Sequence, residues 1–138
     1  MKSQKGLDLI QSAFLELTSS IGLTIDEMNE EIKDDGQFEW SIDYETSLDE
    51  QHDYDLSKLL SYFEIHRVAR KSNDRLTAYV ALLEARFFAQ NLKNLYRSIE
   101  DEIDKVMYRD PRFKWPDIPE DYKFPEDYLE VSDKKDRY

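Results

Sequence analysis

The chain has 138 residues, 31 of them acidic and 19 basic, with a formal net charge of −12 and no cysteine. That length suits one domain with a real core, the charge opposes direct binding to phosphate backbones, and the missing thiols exclude disulfides and cysteine catalysis and fit a reducing, cytoplasmic setting. Aromatic residues at 13% argue against wholesale disorder, and no apolar run approaches the ~20 residues of a membrane span.

The first seventeen residues, MKSQKGLDLIQSAFLEL, include Asp8 and Glu16 and mix polar with apolar positions, unlike a signal peptide. Leu7, Ile10, Phe14, Leu17 and Ile21 recur at helical spacing, which predicts an amphipathic helix. Gly22 supplies a left-handed residue after it, and Leu23 is placed for the accompanying apolar contact. Thr24 and Glu27 have capping-box spacing, so Ile25, Met28 and Ile32 predict a short second helix ending at Gly36. Asp34 and Asp35 oppose its dipole.

Residues 37–45, QFEWSIDYE, alternate strictly, with Phe38, Trp40, Ile42 and Tyr44 on one face. That is the pattern of a half-buried strand, and its expected partner is the look-alike Arg112-Phe113-Lys114-Trp115, where opposite charges would face each other. Residues 46–54 read as an acidic loop, unless Ser47 and Glu50 cap an earlier helix start. A third helix is expected at about 55–71, with Arg67, Arg70 and Lys71 in its last turn. Ser72-Asn73-Asp74 leaves room only for a tight turn, so the third and fourth helices should form an antiparallel hairpin.

Residues 74–109 contain neither Gly nor Pro. At about 1.5 Å per residue they span roughly 54 Å, against a diameter of roughly 37 Å for a domain of this size. The helix must bend, or one end projects and needs a partner. Its first half carries Leu76, Val80, Leu83 and Phe87 on one side and Ala78, Ala81, Ala85 and Ala89 on the other, the pattern of a helix covered all round. Its second half has a single stripe: Phe88, Leu92, Leu95, Ile99, Ile103 and Val106. Residues 74–90 are therefore read as the bundle centre, and 91–109 as an outer arm suited to homodimer formation.

All four prolines fall after position 110, together with a repeat, Ile118-Pro-Glu-Asp-Tyr-Lys and Phe124-Pro-Glu-Asp-Tyr-Leu. The expected organisation is an acidic helical domain over 1–110 and an extended, aromatic-rich tail over 111–138. The fold class is mainly α: a small helical bundle with a long central helix and at most a minor two-stranded β element.

Catalytic equipment is sparse. Three scattered glycines make no phosphate-cradling loop, and His52 and His66 fall in no metal-ligand pattern, so no cofactor or metal is expected. His66 reads as a half-buried, hydrogen-bonded histidine rather than a base. Glu84 reads as the partner of Arg67 or Arg70 across the hairpin. The charge, however, is concentrated. Residues 26–55 hold thirteen acids (Asp26, Glu27, Glu30, Glu31, Asp34, Asp35, Glu39, Asp43, Glu45, Asp49, Glu50, Asp53, Asp55) against Lys33 alone, and elsewhere acids and bases cancel.

Glu27-x-x-Glu30 followed by Glu31, with Asp101-x-x-Asp104, resembles the acidic motifs of the all-α MazG-type nucleotide pyrophosphohydrolases. The resemblance implies carboxylates on adjacent helices holding magnesium against a pyrophosphate. It departs from that family in having Asp for Glu in the second motif and about seventy residues between the two. The leading expectation is instead a non-catalytic interaction protein that binds a basic protein through residues 26–55, aided by Trp115, Tyr122, Phe124 and Tyr128 of the tail. It would act as an inhibitor, in the manner of acidic immunity proteins and DNA mimics, as a small helical subunit, or as a chaperone.

Overall fold

The computed structural model describes residues 6–29 and 40–129. Helix α1 spans Leu7–Ser19, α2 Ile25–Met28, α3 Leu48–Lys71 and α4 Arg75–Asp104, which runs into one π-helical turn, Lys105–Arg109. No strand occurs among the described residues. The protein is mainly α, a small helical bundle with a long central helix.

The N-termini of α1 and α3 cap each other. The Asp49 carboxylate accepts the Leu7 amide at 2.7 Å and the Asp8 amide at 3.0 Å. In return, the Asp8 carboxylate accepts the Ser47 hydroxyl at 2.9 Å and the Asp49 amide at 3.2 Å. Both carboxylates thus sit at the positive end of a helix and satisfy amides the helix leaves open. Gly6, at φ 62°, allows the approach, since a Cβ there would run into the Asp49 carboxylate. Ser47 also takes the Glu50 amide at 3.1 Å. The acids of 46–54 therefore begin α3 seven residues before position 55, because a first helical turn favours negative charge.

The sequence signals around α1 and α2 read correctly. Gly22 has φ 87°, and the Leu23 amide reaches back to the Thr18 carbonyl at 3.1 Å. Thr24 and Glu27 form both bonds of the capping box. Helix α2 closes at Met28, with Asn29 as its C-cap (φ −96°, ψ 3°), short of the expected end at Gly36; residues 30–36 lie outside the described ones.

Residues 40–45 keep the expected alternation, with Trp40, Ile42 and Tyr44 buried and Ser41, Asp43 and Glu45 exposed, but they are not a strand. Side chains satisfy the backbone instead. Glu102 accepts the Ser41 and Ile42 amides, and Asn29 accepts that of Tyr44. Gln11 donates to the carbonyls of Asp43 and Thr46. Among the described residues no backbone bond joins this segment to 112–115; Phe38 and Glu39 lie outside them. The adjacency holds at the side chains, where the Trp40 and Phe113 rings meet edge to face at 6.4 Å.

Helices α3 and α4 form the expected antiparallel hairpin, turning at Asn73 (φ 58°). Ala69, Ala78, Ala81 and Ala85 are buried where the helices meet. The small side chains bring the backbones close enough for His66 Nδ1 to lie 2.7 Å from the Ala78 carbonyl, the structural role expected of that histidine. Glu84 is exposed, and Arg67 pairs with Glu64 of its own helix.

The reading of α4 as centre and arm is reversed. The apolar core consists of Phe14, Met28, Trp40, Ile42, Tyr44, Leu48, Leu95, Ile99, Val106 and Phe113, so Leu95, Ile99 and Val106 of the 91–109 stripe are buried within the chain, while Leu92 is half-buried and Ile103 exposed. The half at 75–90 projects, covered on its alanine side only. The cause lies in the N-terminal caps: they fasten α1 to the start of α3, and α2 and the 40–46 segment pack at that same end. A homodimer through Leu95 and Ile99 therefore has no free surface to use.

Candidate functional site

The acids singled out in the sequence do not share one fate. Asp26, Glu27, Asp43, Glu45, Glu50 and Asp53 are exposed, on α2, the 40–46 segment and the first turns of α3, all at the base of the hairpin. Glu27 also closes the capping box, and Asp43 accepts the Glu45 amide at 2.9 Å. Asp49 is occupied as the cap of α1. Asp55 is buried, accepting from the Asn91 amide group at 3.3 Å. Glu30, Glu31, Asp34, Asp35 and Glu39 lie outside the described residues.

The most deeply buried carboxylate was not singled out. Glu102 has no exposed surface and holds Ser41 N–H at 2.8 Å, Ile42 N–H at 3.2 Å and the Tyr44 hydroxyl at 2.8 Å. Burial pushes its pKa above the usual carboxylate range, while the bonds from Ser41, Tyr44 and Ile42 and the charge of Lys105 act in the opposite sense. Burial, then the neighbouring Glu102, raises the Tyr44 hydroxyl as well. The signal was present in the sequence: Glu102 lies three residues after Ile99 and four before Val106, an apolar-stripe position occupied by an acid. Its partners all belong to its own chain, so it acts as a brace joining α4 to the 40–44 segment.

Beside the brace, the Lys105 ammonium lies 4.7 Å from the Trp40 ring centroid and 3.9 Å from Asp110. Asp110 is gripped by Arg112 at 2.6 Å, and that hydrogen bond holds its pKa below the usual range. Between the start of α3 and the middle of α4 lies a polar cleft of about 360 Å³, lined in part by Gln51, Asp55, Asn91, Asn94 and Ser98. It offers amides, the hydroxyls of Ser41 and Ser98, and two carboxylates, Asp43 and the tied Asp55.

Phe113 is buried against Trp40, and Trp115 donates its indole N–H to the Val106 carbonyl at 2.7 Å. Beyond them Tyr122, Phe124 and Tyr128 are exposed, as is most of the Trp115 ring. Both copies of the Pro-Glu-Asp-Tyr repeat turn at the proline, the amides of Tyr122 and Tyr128 reaching the carbonyls of Pro119 and Pro125 at 3.1 Å, and the second runs on into a helical turn over 126–129.

Asp101 and Asp104 occupy the end of α4, and Glu27 is committed to its cap. Among the described residues no group of three His, Asp or Glu side chains could hold a metal ion, and no helix is long and apolar enough to cross a membrane.

A crystal structure of a functionally unknown protein from Neisseria meningitidis MC58 shares this fold: TM-score 0.73, 22% identity, 83% of this chain covered and all of the other. Comparison with curated proteins gives no match. Both tail repeats, from Ile118 and from Phe124, lie beyond the family match. From Leu7 through Asp117 the chain matches a single family model, and it belongs to that family, the family of unknown function DUF6853.

Proposed function

We propose that the protein is a non-catalytic interaction module, placed in the cytoplasm, whose acidic base receives a basic protein surface. The observation that supports this most directly is the segregation of charge. Residues 40–55 carry six acids and no base, and four of these, Asp43, Glu45, Glu50 and Asp53, are exposed at one end of the molecule. Such a field draws a basic partner from solution and makes association fast and salt-dependent. The exposed Tyr122, Phe124 and Tyr128 supply the apolar anchors that a charged face lacks. Inhibitor, subunit and chaperone roles all use this contact, and the partner's identity decides among them.

The test compares wild type with a variant in which Asp43, Glu45, Glu50 and Asp53 become Asn or Gln, each used to capture partners from the native host at low and high salt. A basic protein held by wild type and lost by the variant supports the reading. A protein held equally by both, whatever the salt, overturns the acidic contact and moves it to the tail.

A further inference from the structure

We infer that the polar cleft between α3 and α4 receives one guanidinium group, presented by an arginine side chain of the basic partner. The source of that arginine rests on the reading just given; the pocket itself does not.

The first ground is the unequal treatment of two buried carboxylates. Glu102 accepts three hydrogen bonds, which engage both of its oxygens. Asp55 is nearly as enclosed, 5% exposed, yet it accepts a single bond, from the Asn91 amide group to Oδ1. At 3.3 Å that bond lies beyond the ordinary range. Its Oδ2 takes no hydrogen bond from the described residues and is not sealed from solvent. Because Asp55 lines the cleft, this oxygen opens into it. Among the described residues no ion pair includes Asp55. A carboxylate enclosed to this degree is ordinarily paired with a cation, and here the place for one is the cleft.

The second ground is what surrounds that oxygen. Gln51 and Asp55 lie one turn apart on α3, and Asn91, Asn94 and Ser98 follow at steps of three and four on α4, so each set shares a face of its helix. Toward the turn the seam between these helices is closed by alanines; here it is polar and open. The side chains of Gln51, Asn94 and Ser98 make no hydrogen bond to the described residues. Leu48 and Leu95 add an apolar wall, against which the methylenes of a long side chain can lie. The volume, about 360 Å³, falls within the span of ligand pockets, roughly 300–1,000 Å³.

The chemistry selects the occupant. Asp55 inside and Asp43 at the exposed rim repel anions. Two carboxylates with no third His, Asp or Glu beside them are a poor cage for a divalent ion. A guanidinium is flat, carries five N–H donors in a fixed fork and gives up its water more readily than an ammonium. Its donors can be shared between Asp55 and the neutral oxygens of Gln51, Asn94 and Ser98.

The test titrates the full chain with acetyl-arginine amide, and with acetyl-lysine amide at matched ionic strength, following the side-chain amide signals of Gln51, Asn91 and Asn94 by NMR. The inference expects the arginine compound to shift these signals and to saturate at millimolar concentration. The lysine compound should bind about tenfold more weakly. Asp55→Asn, with an unchanged far-UV spectrum, should weaken the arginine compound about tenfold or more, the loss of one hydrogen bond to a charged group. Asn94→Leu, at an exposed position, removes one acceptor and leaves Asp55 in place, so a smaller loss there supports the pocket even where Asp55→Asn does not fold. Wild-type signals that stay still overturn the inference, and so does equal binding of the two compounds. In capture from the host, a basic protein lost from the fourfold surface variant but kept by Asp55→Asn overturns the arginine contact and leaves the acidic face standing. Arginine-amide binding with no basic protein captured supports the pocket and overturns the acidic face.

Discussion

The two ends of the α3–α4 hairpin are built on opposite terms. At the base, ten apolar side chains from six segments close a core, and its polar groups are matched one by one: buried Glu102 with two amides and a hydroxyl, half-buried Asp8 and Asp49 with each other's helix starts. In the projecting half, the contact is a line of alanines closed by Phe88 against Tyr54 and Tyr62 and backed by a histidine-to-carbonyl bond, and most of the large apolar side chains face water. Helical periodicity shows that a face is apolar; it does not show that the same chain supplies the cover. A stripe of alanines needs one neighbour, whereas a stripe of leucines needs more, and here the other elements are fastened at the far end.

The largest test of this contrast is removal of the brace. Glu102→Leu leaves the Ser41 and Ile42 amides and the Tyr44 hydroxyl without partners in a closed core. At roughly 1–3 kcal/mol for a buried group left unsatisfied, the loss should exceed about 3 kcal/mol in urea unfolding. Amide exchange should speed up over 40–46 and α1 well before it does in the hairpin. Equal acceleration in both regions would show that the two ends are one cooperative unit.

The reciprocal experiment strikes the hairpin. Ala85→Leu forces α3 and α4 apart where they meet, at a cost of about 1–3 kcal/mol for overpacking, while the brace region keeps its near-ultraviolet spectrum. A smaller effect follows from Asp49→Ala, which uncaps α1 at about 1–2 kcal/mol. Because Asp8 and Asp49 serve one another, Asp8→Ala in the same chain should cost less than the two single losses combined.

A pH series sharpens the contrast further. Burial holds the folded-state pKa of Glu102 above its unfolded value. In between, the folded state therefore binds the extra proton, and this residue's contribution to stability falls as pH rises through that window. Asp110 has the opposite sign: Arg112 depresses its pKa, and its contribution is lost as pH falls through the lowered value. The difference between wild type and Glu102→Gln across pH 4–8 isolates the first slope, and a flat difference would show that the carboxylate is not strained by its burial. The smallest effect is expected at the hairpin turn, where Asn73→Gly relieves a left-handed residue and stabilises by at most about 1 kcal/mol.

What could be read from the sequence was local. Gly22, the Thr24–Glu27 box, the Ser47–Glu50 alternative start and the tight turn at 72–74 each involve residues within a few positions of one another, and each holds. The alternation of 40–45 marks burial correctly, yet it carries no information on how the amides are paired, and a carboxylate sixty residues away took the place of a neighbouring strand. Glu102 escaped notice because an acid in a charged helix reads as solvated unless its stripe position is weighed. Which half of α4 would be covered depended on the meeting of Asp8 with Asp49, a long-range event with no local signature. Acid density at 46–54 likewise concealed a helix start that depends on those charges.

The exchanged caps also affect how the chain tolerates change. Two carboxylates bind across a separation of about forty positions, and together they close one ring of polypeptide, so the second closure adds almost no entropic cost to the first. The cost of such a ring grows only with the logarithm of its length, about 0.6 kcal/mol for each doubling. Residues added between Leu23 and Trp40 should therefore leave both helix starts in place, whereas a single residue inserted between Ser47 and Asp49 should break them together. Length variation among relatives is expected to concentrate in the first interval and to be absent from the second.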